Sequence, residues 1–244
     1  MAKSKDTSAY WRKLLRLDEE LPKDFTKNLD SFWKVFRKPL HRAFERLGQR
    51  DYALTAVGLE NLPGKPPFII ASNHASSMDF PAIFICLPEK YRREVVVMYT
   101  GFFDKLLPAK WAIKAFVSSF SVDLDGNFWE ALAKSAKVLK CKKIIYIAPE
   151  GKRSYDGKLL PFKVGAGALA VEADVPVVPV YIKGTFETLP RGKFIPKKHP
   201  IRVVFGKPIY PDSFIEKKKN AAAYGIYKEF TEKLREEINR LSLI

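Results

Sequence analysis

Phe68-Ile69-Ile70-Ala71-Ser72-Asn73-His74-Ala75-Ser76-Ser77-Met78-Asp79 is the stretch that decides how this 244-residue chain is built. Its first four residues form an unbroken apolar run, the pattern of a strand buried on both faces. The run stops abruptly at a polar loop that carries a histidine and, five residues on, a carboxylate. Pro81–Leu87 then reads as a helix. Working outward, the same alternation recurs. Strands are predicted at Leu54–Val57, Val95–Tyr99, Ser119–Val122, Lys143–Ile147, Val177–Ile182 and Ile201–Phe205. Helices are predicted at Phe102–Ala115, Phe128–Leu139, Gly165–Ala173 and Ala221–Leu241. This order predicts an α/β fold with a mixed, largely parallel sheet flanked by helices. In such sheets the chemistry gathers in loops leaving the carboxyl ends of the strands.

Residues 1–48 follow a different pattern. Segment 29–47 places Leu29, Phe32, Trp33, Phe36, Leu40, Ala43, Phe44 and Leu47 at helical 3/4 spacing, with Lys34, Arg37, Lys38, Arg42 and Arg46 around them. Pro39 is expected to kink or divide this helix. A shorter helix, Tyr10 to Leu21, repeats the theme with Trp11, Leu14, Leu15 and Leu17. The chain thus divides into an N-terminal amphipathic two-helix segment, 1–48, and an α/β domain, 49–244. Two explanations of the segment are compatible: packing on the domain, or lying in a lipid headgroup layer, as its aromatic and basic composition favours.

Composition sets outer bounds. An apolar content of 47% argues against disorder. There are 43 Lys and Arg against 27 Asp and Glu, a net charge of +16, so the surface attracts polyanions: nucleic acid, anionic membrane or phosphorylated small molecules. Charge alone does not choose among them. Two cysteines, Cys86 and Cys141, lack CxxC spacing, and the three histidines lie far apart, so no metal site is expected. With no secretory signal and no run of about 18 apolar residues, the chain reads as cytoplasmic, soluble or peripheral on a membrane.

His74 and Asp79 suit general-base chemistry, the carboxylate holding one imidazole nitrogen while the other takes a proton from an attacking hydroxyl. Ser76-x-x-Asp79 equally matches a helix capping box, which explains Asp79 without catalysis. A second loop, Pro149-Glu150-Gly151-Lys152-Arg153-Ser154, follows the strand ending at Ile147. Its glycine permits close backbone approach, and its cations and hydroxyl suit a phosphate, while Glu150 is placed to hold Arg153 or meet a substrate hydroxyl. A solvated charged turn is the bland alternative. The chain has no GxSxG elbow, no GxxxxGK[ST] loop and no GxGxxG. A base without an enzyme nucleophile points to direct transfer onto a substrate hydroxyl.

Together these residues resemble the glycerolipid acyltransferases, the 1-acylglycerol-3-phosphate acyltransferase family. The block NHxxxxD is intact at Asn73-His74-Ala75-Ser76-Ser77-Met78-Asp79, and the block usually written FPEGTRS stands as Ala148-Pro149-Glu150-Gly151-Lys152-Arg153-Ser154. Phe162-Lys163-x-Gly165 and Val175-Pro176-Val177-Val178-Pro179-Val180 are similar to the segments that normally follow. The resemblance implies transfer of a fatty acyl group from acyl-CoA or acyl carrier protein to a lysophospholipid-type hydroxyl, giving phosphatidic acid. It implies His74 as base and Asp79 as its orienting partner. It places Glu150, Gly151, Lys152, Arg153, Ser154 and Asn73 in the acceptor site, Asn73 shaping the histidine loop. It implies no metal, no cofactor, no nucleic acid partner, and an anionic membrane surface. The departures are Leu124, near the arginine of the family's second block, and Val95-Val96-Val97-Met98, where some members carry a basic residue. They leave an acceptor without phosphate as one alternative, and a noncatalytic basic module as another.

Overall fold

A computed structural model describes residues 8–20, 34–100, 117–122 and 128–244. In chain order its elements are α1 (Ser8–Leu14), α2 (Lys34–Tyr52), β1 (Thr55–Val57), β2 (Phe68–Ser72), α3 (Asp79–Cys86), α4 (Glu89–Arg92), β3 (Val95–Thr100) and β4 (Ser118–Val122). There follow α5 (Phe128–Lys140), β5 (Ile144–Ile147), α6 (Gly165–Ala173), β6 (Val177–Lys183), α7 (Thr185–Thr188), β7 (Arg202–Phe205), α8 (Asp212–Lys218) and α9 (Ala223–Leu241). Seven strands form one sheet in the order β1-β7-β6-β2-β5-β3-β4. The five strands from β6 to β4 are parallel, β7 runs antiparallel to β6, and β1 is parallel to β7. The sheet is mixed and largely parallel, as the alternation of strand and helix patterns predicts.

β2 and β5 are buried along their whole length, and almost wholly apolar before Ser72, because helices cover both sides of the sheet. On one side α9 lays down Ile226, Phe230, Leu234, Ile238 and Leu241, all buried at 3/4 spacing. On the other, α3 contributes Ala82, Ile83 and Phe84. Register matters most at the centre: Ala71 pairs with Ile147, and Ser72 with Val180. The carboxyl ends of β5, β2 and β6 therefore lie side by side, and so do the loops that leave them.

The N-terminal helices depart from the sequence expectation in two places. α1 ends at Leu14 and not near Leu21, because Arg16 adopts a left-handed backbone (φ 52°) that stops the helix. α2 runs unbroken through Pro39 to Tyr52. Pro39 lies five residues after Lys34, so the only helical carbonyl it deprives is that of Val35. Trp11 and Leu15 are buried against α6 and α9, with Trp11 meeting Trp129 and Tyr227 edge to face at 5.1 and 5.2 Å. A buried carboxylate ties the same region together. Glu172 of α6 accepts from Ser8 Oγ, from Lys218 Nζ at 2.6 Å and from Tyr227 OH. With three donors of its own, this carboxylate does not carry the penalty of an unpaired buried charge. Leu29, Phe32 and Trp33, the predicted helix Phe102–Ala115 and Leu124 lie outside the described residues.

Candidate active site

β2 delivers its chain into the first loop at Ser72 and Asn73. The Asn73 amide donates to Ile182 O at 3.0 Å and accepts from Ile182 N at 2.8 Å. It thereby extends the β2–β6 pairing by one step after the backbone has turned away. Ser72 Oγ donates its one proton to Asn73 O at 2.8 Å, so the 2.9 Å contact with Tyr146 is a bond that the tyrosine donates. Burial, with the Asp79 charge nearby, pushes the Tyr146 phenol far above its ordinary value and keeps it a donor. Asn73 thus acts on the loop and not outward, and His74 follows from an immobilised backbone.

His74 Nδ1 lies 2.9 Å from Asp79 Oδ2. The carboxylate is fully buried, while the imidazole is 27% exposed, so the other ring nitrogen is the one that can meet a substrate. Asp79 Oδ2 also accepts the amides of Ala75 and Ser76, each at 2.8 Å, and Oδ1 accepts Thr185 Oγ1 at 2.6 Å. Four donors fix the carboxylate, which in turn fixes the Nδ1–H tautomer and leaves Nε2 as a base. The capping-box reading is fulfilled in altered form: Asp79 takes the Ser76 amide, while Ser76 Oγ accepts the Met78 amide at 3.1 Å in place of that of Asp79 and donates to Leu189 O at 2.7 Å. One side chain therefore both caps the turn and orients the histidine.

The second loop grips the first through its backbone. Glu150 is buried, and its two oxygens accept His74 N at 2.7 Å and Leu160 N at 3.0 Å. Desolvation raises its carboxyl above the ordinary value, and the two amide bonds oppose that rise. Ser154 N donates to His74 O at 2.8 Å, and Ser154 Oγ donates to Asp156 at 2.9 Å. Glu150 and Ser154, expected from sequence to face the acceptor, are thus occupied with holding the loops. Gly151 and Lys152 are exposed and Arg153 is half-buried, so these three face outward. Gly151 has φ +71°, a backbone that favours glycine, and a Cβ there would lie 2.8 Å from Lys163 Nζ, so a side chain would push the flexible end of this lysine away from the loop. Arg191 donates to Arg153 O at 3.2 Å and stacks 4.1 Å from the Tyr155 ring centre.

Three residues beside these loops were not assigned to the site from sequence: Thr185, Arg191 and Lys163, the last quoted only as part of the Phe162-Lys163-x-Gly165 segment. Thr185 lies 106 positions from Asp79. It arrives because Gly184 (φ +91°) turns the chain tightly after β6, where a Cβ would strike Pro200 O at 2.0 Å. A glycine two residues after the predicted strand Val177–Ile182 was the available signal.

Fold and site define a class: an α/β protein with a carboxylate-oriented histidine and a cation-bearing loop at the carboxyl ends of adjacent parallel strands. Residues 53–183 match the Acyltransferase family model, and the chain belongs to that family. It is 34% identical over 164 residues to a chloroplastic 1-acyl-sn-glycerol-3-phosphate acyltransferase of Brassica napus, covering 65% of this chain and 46% of the relative. It is 35% identical over 118 residues to the human 1-acyl-sn-glycerol-3-phosphate acyltransferase beta, covering 47% and 40%. The chain spans less than half the length of these curated relatives. The crystal structure of the 1-acyl-sn-glycerophosphate acyltransferase PlsC from Thermotoga maritima matches with a TM-score of 0.62 and 25% identity, covering 98% of this chain and 91% of that one.

Proposed function

We propose that this protein transfers an acyl group from a thioester, acyl-CoA or acyl carrier protein, to the free hydroxyl of a 1-acylglycerol-3-phosphate-type acceptor. The observation that carries the reading is the 2.9 Å contact between His74 Nδ1 and a fully buried, four-times hydrogen-bonded Asp79. His74 Nε2 takes the hydroxyl proton as the oxygen attacks the thioester carbonyl. The imidazolium is stabilised by Asp79, the C–S bond breaks, and the departing thiolate recovers the proton from His74. No acyl-enzyme forms. Arg153, Lys152 and Lys163 favour an anionic headgroup over a neutral one, with Gly151 keeping the approach open.

Residues 1–48 supply part of the membrane contact in this reading. Phe44 and Leu47 of α2 are each 37% exposed beside the exposed Arg42 and Arg46, which suits a peripheral position on the cytoplasmic face. No helix among the described residues is long and apolar enough to cross a membrane. The test is product analysis by mass spectrometry after incubation with mixed acyl thioesters and lyso-acceptors. Phosphatidic acid formed by wild type and lost in His74→Ala supports the reading. Equal thiol release by both proteins supports the noncatalytic module, and products only from uncharged acceptors support the acceptor without phosphate.

A further inference from the structure

Between α7 and β7 the chain runs Leu189-Pro190-Arg191-Gly192-Lys193-Phe194-Ile195-Pro196-Lys197-Lys198-His199-Pro200. Phe194 is 93% exposed and Ile195 83% exposed, adjacent apolar residues at the tip of a loop. Isolated exposed apolar residues are ordinary, but a neighbouring aromatic and aliphatic pair almost wholly in water needs a reason. The loop is held in place: Lys197 N donates to Thr188 O at 2.8 Å, Lys193 N to Pro190 O at 3.1 Å, and Ile201 N to Tyr52 O at 2.8 Å. Three prolines further restrict the backbone. The pair is therefore presented outward by a pre-ordered loop and does not collapse onto the domain.

Charge identifies what it meets. No acidic residue occurs from 188 to 201, while Arg191, Lys193, Lys197 and Lys198 flank the tip, all exposed. Lys198 is paired with Asp51 at 3.0 Å, and Arg191 is engaged with the Arg153 loop, which leaves Lys193 and Lys197 bracketing Phe194 and Ile195. An apolar tip ringed by cations matches a bilayer surface, with headgroup anions around an apolar interior. The base of the loop is bonded to the catalytic loop, through Leu189 O to Ser76 Oγ, and Thr185 at the start of α7 holds Asp79.

We infer that the 190–199 loop inserts Phe194 and Ile195 into the interfacial layer of an anionic membrane, seating the mouth of the His74 site against the lipid surface. This second membrane contact, separate from residues 1–48, rests on the reading that the acceptor resides in a bilayer.

Co-sedimentation with phosphatidylcholine vesicles, with and without phosphatidylglycerol, tests it on the full chain. Phe194→Ser/Ile195→Ser should lower the partition coefficient about tenfold to a hundredfold. Lys193→Gln/Lys197→Gln should lower it about fivefold per lysine on the anionic vesicles only, an effect that salt erases. Because the four side chains are exposed, thermal stability should not move. Turnover of a short-chain, monomeric lysophosphatidate should match wild type, while turnover of vesicle-borne acceptor falls with binding. Equal vesicle partition by wild type and both variants overturns the inference. So does self-association of wild type that the apolar double variant loses, which assigns the tip to a second copy. Absence of turnover in every protein, with the partition differences intact, counts against the acyl-transfer reading and leaves the loop's membrane contact standing.

Discussion

Asp79→Asn separates the two duties of this side chain. The asparagine oxygen can occupy the Oδ2 position and still accept from His74 Nδ1, Ala75 N and Ser76 N, which now bond at 2.8–2.9 Å. Its amide nitrogen then faces Thr185 Oγ1, an atom able to accept. The loop should keep its shape and His74 its tautomer, so the change removes mainly the negative charge. In the proposed mechanism that charge matters when His74 becomes an imidazolium. A unit-charge pair about 4 Å apart at an effective dielectric constant of about 20 is worth about 4 kcal/mol. At 1.36 kcal/mol per tenfold, turnover should fall by about 10³-fold. The interaction arises only as the proton moves, so KM for donor and acceptor should hardly change. Bonds to a carboxylate weaken when it becomes an amide, and the variant should lose a few degrees of Tm, at about 2–4 °C per kcal/mol for a chain of this size. Thiol release from an acyl thioester, measured across acceptor concentration beside a thermal melt, reads both quantities. Full kcat with a lowered Tm would refute the argument and leave Asp79 as a cap alone.

Arg153→Ala should raise the acceptor's KM more than the donor's, because in the proposed reading the guanidinium meets the acceptor headgroup alone; steady-state kinetics with each substrate varied decides it, and equal shifts would place Arg153 on a solvated turn. Glu150 is raised above its ordinary value of 4.5 by burial, so the folded chain holds that proton more tightly than the unfolded one. The stability this contributes is present below about 4.5 and lost as pH rises through the raised value, so denaturant titrations should show the advantage of wild type over Glu150→Gln shrinking as pH rises. Trp11→Ala should cost about 3–5 kcal/mol, since the indole is buried among Trp129, Tyr227 and the core of α6; an unchanged denaturation midpoint would detach α1 from the domain.

The sheet was legible because its central strands are buried on both faces, and runs such as Ile144–Ile147 have no other reading at that length. Predicted and observed strand ends agree within one residue wherever such a run meets a polar loop. His74 and Asp79 were legible because the loop that bonds them is short and local. Thr185 and Arg191 were not, since their relation to the site is created by strand order and loop closure across long stretches of chain. The end of α1 was hidden for another reason: Arg16 adopts a left-handed backbone without the glycine that usually advertises one. Short helices such as Glu89–Arg92 and Asp212–Lys218 offer too few residues for periodicity to register. Glu150 shows a further limit. Its residue type suggested a partner for Arg153 or a substrate, yet its two oxygens hold amides 76 and 10 positions away.

The first of those bonds, with Ser154 N on His74 O, means that the histidine's peptide groups are clasped from both sides by the neighbouring loop. For anyone recombining loops among relatives to change acceptor preference, the 148–154 segment is not an independent cassette. A graft that brings new outward residues at 151–153 but lacks a carboxylate at 150 would release the amide of His74, and with it the aim of the imidazole. If the acceptor lies against residues 151–153 as proposed, its preference can be rewritten at those three positions, provided the residues that bracket them are carried over as a frame.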